Sequence, residues 1–241
     1  MIHLEYVRKT GSLGREYGIV LDDVSFTAHA QSLTMVLGSA PATITMLMAL
    51  IAGYDTPDSG TITVADVDVS RVSTRGCDVL RQRTLGLLYP THNLLPSLTV
   101  AANLVFPARI NRQPVSTESY ERVLDLFAIR SLLSYYPDAL TVLERQRVAL
   151  ASLALAGRSV IVCEEPAAHL NSRDLESLTA LLRLCVRELD MTVLALTRNP
   201  VCASHADHVI VLDDERVAGE LHTPDLTAIY SALSALRGDV C

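Results

Sequence analysis

A chain of 241 residues, 49% of them apolar, can build one large packed domain or a domain carrying a subdomain. Its net charge of −7 and pI near 5.5 exclude the basic footprint of a nucleic-acid binder. The longest apolar runs, Ile44–Ala52 and Val148–Ala156, are too short to span a bilayer, and MIHLEYVRKT carries charge too early for a secretory leader.

In chain order, Ile2–Val7 alternates as a strand, and Arg8–Tyr17 reads as a polar turn. Strands are predicted at Ile19–Phe26 and Leu33–Leu37, then a helix over Thr43–Ala52 stopped by Gly53. Tyr54–Gly60 is a dense turn signal, Thr61–Val67 a strand, Ser73–Arg81 a short helix and Thr84–Leu88 a buried strand. Helices then cluster: Thr99–Phe106, Ser116–Phe127, a brief one at Ile129–Leu133, and Glu144–Ala156. Strand and helix alternate again from Val160–Cys163. A helix to Leu189 capped by Ser172 follows, then Thr192–Leu196, Pro200–Ala206, His208–Leu212, Arg216–Glu220 and a closing helix over Leu226–Leu236. The alternation predicts an α/β fold with a mainly parallel sheet covered on both faces. The helical cluster suggests an inserted subdomain, residues 89–156, between core segments 1–88 and 157–241.

Strand, glycine loop and helix from Leu33 to Gly53 form the frame of a phosphate-binding loop, G-x-x-x-x-G-K-S/T. The loop here is Gly38-Ser39-Ala40-Pro41-Ala42-Thr43-Ile44-Thr45. Gly38 and the Thr45 hydroxyl keep their places; Thr43 replaces the second glycine and Ile44 the lysine. Pro41 offers no N–H to an anion. Lys9 is the only lysine in the chain, so no other can supply the charge. Cys77, Cys163, Cys185, Cys202 and Cys241 form no C-x-x-C pair, which fits a reducing compartment. The seven histidines show no ligand spacing, so no metal site is expected.

The landmarks together resemble the ATPase subunits of ABC transporters over nearly the whole chain. The likeness is to the branch serving lipoprotein-release, macrolide-export and cell-division permeases. Gly38–Gly53 with Asp55-x-Pro57-x-Ser59-Gly60 resembles the phosphate-loop region. Asn93-Leu94-Leu95-Pro96-x-Leu98-Thr99-Val100 is similar to the segment after the family's Q-loop. Tyr136-Pro137-x-x-Leu140 and Gln146–Ala151 bracket the place of the signature. Val160–Pro166 is similar to Walker B, and Val193–Thr197 to the strand before the switch histidine. The resemblance implies a P-loop NTPase-like ABC ATPase fold with an antiparallel β subdomain and an inserted helical subdomain.

At the matching positions most of the catalytic residues differ. The Q-loop glutamine aligns with Pro90, the signature L-S-G-G-Q with Leu140-Thr141-Val142-Leu143-Glu144, and the Walker B aspartate with Glu164. The switch histidine aligns with Arg198, the D-loop aspartate with Asn171, and the adenine-stacking aromatic with Gly11, Tyr17 being a distant substitute. Glu165 keeps the general-base position. Glu144 would set a carboxylate where the signature faces a γ-phosphate.

Two functions stay open. One is a catalytically inactive ABC ATPase-like subunit, structural or regulatory, docked on a permease and paired with an ATPase subunit on the cytoplasmic face of a membrane. It would need no cofactor, and Leu94, Leu95 and Leu98 would form its docking loop. The other is a weak or atypical ATP-binding subunit that uses magnesium and Glu165.

Overall fold

The computed structural model describes residues 1–13, 16–90 and 93–238. Strand β1 (Ile2–Leu13) pairs antiparallel with β2 (Glu16–Ala28), so most of the expected turn over residues 8–17 is strand. Its polar residues have distant partners. Lys9 Nζ donates to Asp55 Oδ1 at 2.8 Å, and the Thr10 amide and hydroxyl donate to Asp58 Oδ2 at 2.7 Å each.

β3 (Leu33–Leu37) leads into α1 (Pro41–Ile51), where Pro41 takes a first-turn position that requires no N–H. Gly53, at φ +65°, closes α1 in the left-handed conformation. β4 (Ser59–Val64) and β5 (Val67–Asp68) complete a four-stranded antiparallel sheet of order β2-β1-β4-β5. Gly60, at φ +84°, admits the Tyr6 carbonyl where a side chain would stand.

α2 (Thr74–Arg83) is capped by Ser73, and β6 (Leu85–Leu88) follows. α3 (Val100–Ile110) runs past the expected stop at Phe106. Pro107 forfeits one N–H, but Ala108 behind it is wholly buried and packing holds the last turn. α4 (Thr117–Leu126), two single 3₁₀ turns (Arg130–Leu132 and Pro137–Ala139) and α5 (Val142–Leu155) complete the helical segment.

β7 (Val160–Glu164) precedes α6 (Ser172–Leu189). The cap of α6 is Asn171 rather than Ser172: its Oδ1 accepts from the Asp174 amide at 2.9 Å, and Ser172 is already helical. β8 (Thr192–Thr197), α7 (Pro200–Ala203), β9 (His208–Asp213), β10 (Arg216–His222) and α8 (Leu226–Gly238) end the described chain.

The second sheet has six strands in the order β10-β9-β3-β8-β7-β6, parallel except for edge strand β10. Strand periodicity sorts its residues onto two faces. Leu33, Met35, Ile161, Cys163, Val193 and Ala195 join one apolar cluster with α3 to α6. Val36, Val160, Val162, Leu194, Leu196 and Ile210 join the other with α1 and the antiparallel sheet. The helical segment shares its core with one face of the large sheet, since Val100, Leu104, Val123 and Val148 lie in the same cluster as Leu33. Cys77, Cys163, Cys185 and Cys202 are buried and unbridged, while Cys241 lies outside the described residues. Burial pushes the Cys185 and Cys202 thiols up to about 12, which makes them core groups rather than nucleophiles.

Candidate functional site: the carboxyl ends of the parallel strands

In open α/β sheets, ligands bind beyond the carboxyl ends of the strands. Here β3, β8 and β7 end side by side, with Leu37 opposite Thr197 and Leu196 opposite Glu164. The loop from Gly38 to Thr45 follows β3, and the Gly38 amide is spent on the Thr197 carbonyl at 3.1 Å.

Ile44 points inward at 1% exposure and belongs to the core cluster beneath the antiparallel sheet. Its Cδ1 lies 3.4 Å from where a Cβ on Gly38 would stand, so the aliphatic chain packs under the loop. Thr43 is also buried. Thr45 is exposed and donates its hydroxyl to Glu164 Oε1 at 2.6 Å.

Glu165 takes a left-handed backbone, φ +44°, held by its amide donating to the Leu196 carbonyl at 2.8 Å. Its carboxylate is engaged: Arg198 Nε donates to Oε1 at 2.6 Å, and the Arg198 amide lies 3.4 Å from Oε2. Parallel strands β7 and β8 bring these two residues together. The side chains are 16% exposed for Glu165 and 48% for Arg198, so the pair sits at the rim of the sheet. A cavity of about 300 Å³ opens beside it, lined by Gly38, Ser39, Arg198, Asp213 and Tyr230.

The residues at the signature position serve the start of α5. Thr141 caps that helix, and Glu144 Oε2 accepts from the Thr141 amide at 2.8 Å and its hydroxyl at 2.9 Å, a reciprocal capping box. The Glu144 carboxylate therefore turns back on its own backbone instead of projecting outward. Val142 is half-buried, and Leu143 packs against the core. Buried Gln146, whose role the sequence reading missed, donates Nε2 to the Pro166 carbonyl and ties α5 to the segment after Glu165.

Lys9 is consumed by Asp55 and Asp58 in the antiparallel sheet. Nearby, the Met46 methyl lies 2.8 Å from where a Gly11 Cβ would stand, so a side chain at that position would have to move it. Tyr17 is 76% exposed, with its hydroxyl 3.3 Å from Thr10 Oγ1. Pro90 is exposed at the end of β6, and Asn171 is occupied as a helix cap.

The docking leucines separate. Leu94 packs against the core, Leu98 is half-buried, and Leu95 is exposed. Buried Asn103 clamps their loop: Oδ1 accepts from the Leu95 amide, and Nδ2 faces the carbonyls of Leu95, Leu98 and Thr99. No metal site is expected from the spacing of the histidines, but that spacing cannot show which of them the fold brings together. The fold gathers ligand atoms of His208, Glu220 and His222 within 4.8 Å of one another.

The fold and the placement of the loop define an ATP-binding cassette architecture. The sequence profile of the family described as "ABC transporter" matches residues 21–168, more than half of the chain, and the chain belongs to this family. It is 30% identical over 227 residues to the macrolide export ATP-binding/permease protein MacB of Salmonella choleraesuis, covering 93% of this chain and 34% of that protein. The chain thus spans about a third of the length of the MacB relatives it matches. It is 26% identical to the lipoprotein-releasing system ATP-binding protein LolD of Cytophaga hutchinsonii, covering 88% of this chain and 98% of that one. The structure is similar to the cassette MJ0796 in a dimeric post-hydrolysis state bound to ADP and Pi. The TM-score is 0.79 at 22% identity, with 92% of this chain and 99% of that one covered. It is likewise similar to cbiO1 of Clostridium perfringens, at TM-score 0.80 and 20% identity, with 98% and 93% covered.

Proposed function

We propose that this chain is a non-hydrolysing ABC ATPase-like subunit that docks on a membrane permease and pairs with an ATPase subunit. The observation that carries the reading is Ile44: a wholly buried aliphatic chain at the place of the phosphate-binding lysine. Three further contacts support it. Glu165, at the general-base position, is held by Arg198; Glu144 closes the helix that would face a partner's nucleotide; and Pro41 withdraws an N–H from the loop. ATP fits this set of groups poorly, because the loop carries no lysine and the nearby Arg198 is engaged by Glu165.

The partner reading draws on relatives. MacB is named as an ATP-binding/permease protein, LolD as part of a lipoprotein-releasing system, and cbiO1 as part of an ABC transporter complex. Among the described residues no helix is long and apolar enough to cross a membrane. The docking face we propose is the 93–100 loop with its neighbours. Leu95, Tyr135 and Tyr136 are exposed there, and the Val100 amide donates to the Tyr135 carbonyl at 2.8 Å.

A second reading has one observation in its favour. Thr45 and Glu164 present two oxygen ligands 2.6 Å apart beside Glu165, a remnant that suits a hard divalent cation. Equilibrium binding of a fluorescent ATP analogue and steady-state phosphate release separate the two. The proposal expects neither binding nor turnover; turnover that disappears in Glu165→Gln establishes the second reading instead.

A further inference from the structure

A cavity of about 570 Å³ lies away from the strand ends, where β9 and β10 meet β1 and β2. Four histidines, His3, His29, His208 and His222, line it together with Glu220. We propose that His208, Glu220 and His222 form a binding site for a divalent transition ion of borderline softness, such as zinc.

The local fold builds this cluster. β9 and β10 pair antiparallel, with Arg216 opposite Asp213 and Val217 opposite Leu212. The register then slips by one residue before Gly219 pairs with Val211, and His222 pairs with His208. Without that bulge Leu221 would face His208; with it, both histidines lie on one face of the hairpin. Glu220, two residues before His222, joins them by strand periodicity.

The contacts suit an ion. His208 Nε2 lies 3.0 Å from Glu220 Oε2. Two ligands on a tetrahedral zinc with bonds of about 2.0–2.1 Å sit about 3.3 Å apart, so little movement is needed there. His208 is 95% buried by its 5% exposure, and its Nδ1 has no hydrogen-bond partner among the described residues. One imidazole gives a shared ion only one nitrogen, and Nε2 is the one beside Glu220, so an ion held there leaves Nδ1 unpaired. The His222 ring stacks on His208 with centroids 4.5 Å apart and planes 6° from parallel, so His222 must swing to aim a nitrogen at a shared ion. It is exposed at the last residue of β10 and has room to do so. His29 is exposed, with its ring centroid 6.1 Å from that of His208. Two imidazoles with one carboxylate select zinc-like ions over magnesium or calcium, which prefer oxygen alone. The bound ion would clamp the β9–β10 hairpin. This site is independent of the proposed loss of hydrolysis.

The test is calorimetric titration of the chelator-treated full chain with zinc chloride, alongside His222→Ala and Glu220→Gln. Both replaced side chains are exposed, so neither replacement opens the core, and the circular dichroism spectrum of each variant checks its fold. One ion per chain is expected. Each variant should weaken binding by at least the roughly 10–100-fold that loss of even an outer partner costs. Cobalt chloride should give the absorption of a low-coordinate nitrogen/oxygen site, and zinc should raise the melting temperature of the parent more than that of either variant. Zinc affinity equal in the parent and both variants, or no stoichiometric binding by the parent, overturns the proposal.

Discussion

Replacing Ile44 by lysine tests the proposed loss of nucleotide chemistry at its centre. Ile44 is 1% exposed and packs with Leu47, Met48, Val36 and Leu196 in one core cluster. Withdrawing a buried isoleucine forfeits about 2 kcal/mol of apolar burial. Setting the lysine head there as an unpartnered neutral amine adds about 1–3 kcal/mol, a lower bound because a charged ammonium costs more. The sum is about 3–5 kcal/mol, and at about 2–4 °C per kcal/mol for a chain of this size the melting temperature falls by roughly 6–20 °C. Ile44→Met, which conserves volume and polarity, should cost under about 1.5 kcal/mol and so controls for packing. Urea unfolding gives the stabilities, and a fluorescent ATP analogue gives the binding. Catalytic groups act as a unit, so one restored charge recovers little activity while Pro41, Pro90 and Arg198 remain. A lysine variant as stable as the parent that binds Mg-ATP would refute this reasoning. It would mean that the ammonium reaches the loop past Gly38 and that the cradle survives.

Other outcomes follow from single contacts. The Thr10 hydroxyl, then its amide, hold the Asp58 carboxyl below the usual carboxylate range, with Lys9 adding to the effect. A depressed folded value means this contribution is complete above the ordinary carboxylate range and is lost as pH falls through the lowered value. Asp58→Asn should therefore flatten the acid limb of a plot of urea midpoint against pH, and an unchanged limb counts against the contact. Glu144→Ala breaks the capping box and should cost about 1 kcal/mol in urea unfolding without creating nucleotide affinity; no loss of stability would show that the box is idle. Leu95→Asp should leave unfolding unchanged, because Leu95 is exposed, yet lower recovery of the chain with the membrane fraction. Undiminished recovery moves the docking face elsewhere.

The order of strands and helices was legible because each buried strand is a short apolar run closed by glycine, proline or a polar turn. The continuation of β1 to Leu13 was not, because Lys9 and Thr10 look like turn residues until Asp55 and Asp58, 46 and 48 positions away, are placed beside them. Asn171 and Ser172 are both good caps by composition, and only the extended backbone of Asn171 decides between them. The docking leucines were read as a unit, but Asn103 fastens their loop so that Leu94 turns inward and Leu95 outward. The histidine cluster was invisible because a bulge sets its register, and no fixed spacing encodes a bulge.

At the strand ends the sequence showed which residues differ from the family, but the structure adds where their side chains went. Arg198 could have been an exposed loop cation or a phosphate ligand; beside Glu165 it is half of a charge-assisted pair. Glu144 could have repelled an approaching phosphate; folded onto Thr141 it satisfies a helix terminus. Under the proposed function, a nucleotide at the strand ends would have to displace the Glu165–Arg198 pair, and one held by a partner would meet the closed capping box. Breaking the Glu165–Arg198 pair leaves a largely buried carboxylate without its cation, and opening the capping box returns unsatisfied N–H groups to α5. These costs precede any gain from phosphate contacts, and the gain is small without a lysine. On the proposed reading, affinity is opposed twice, by what the site lacks and by what it already holds. Removing Arg198 alone should release Glu165 without producing binding, because the cation that would hold the phosphates is still missing at Ile44.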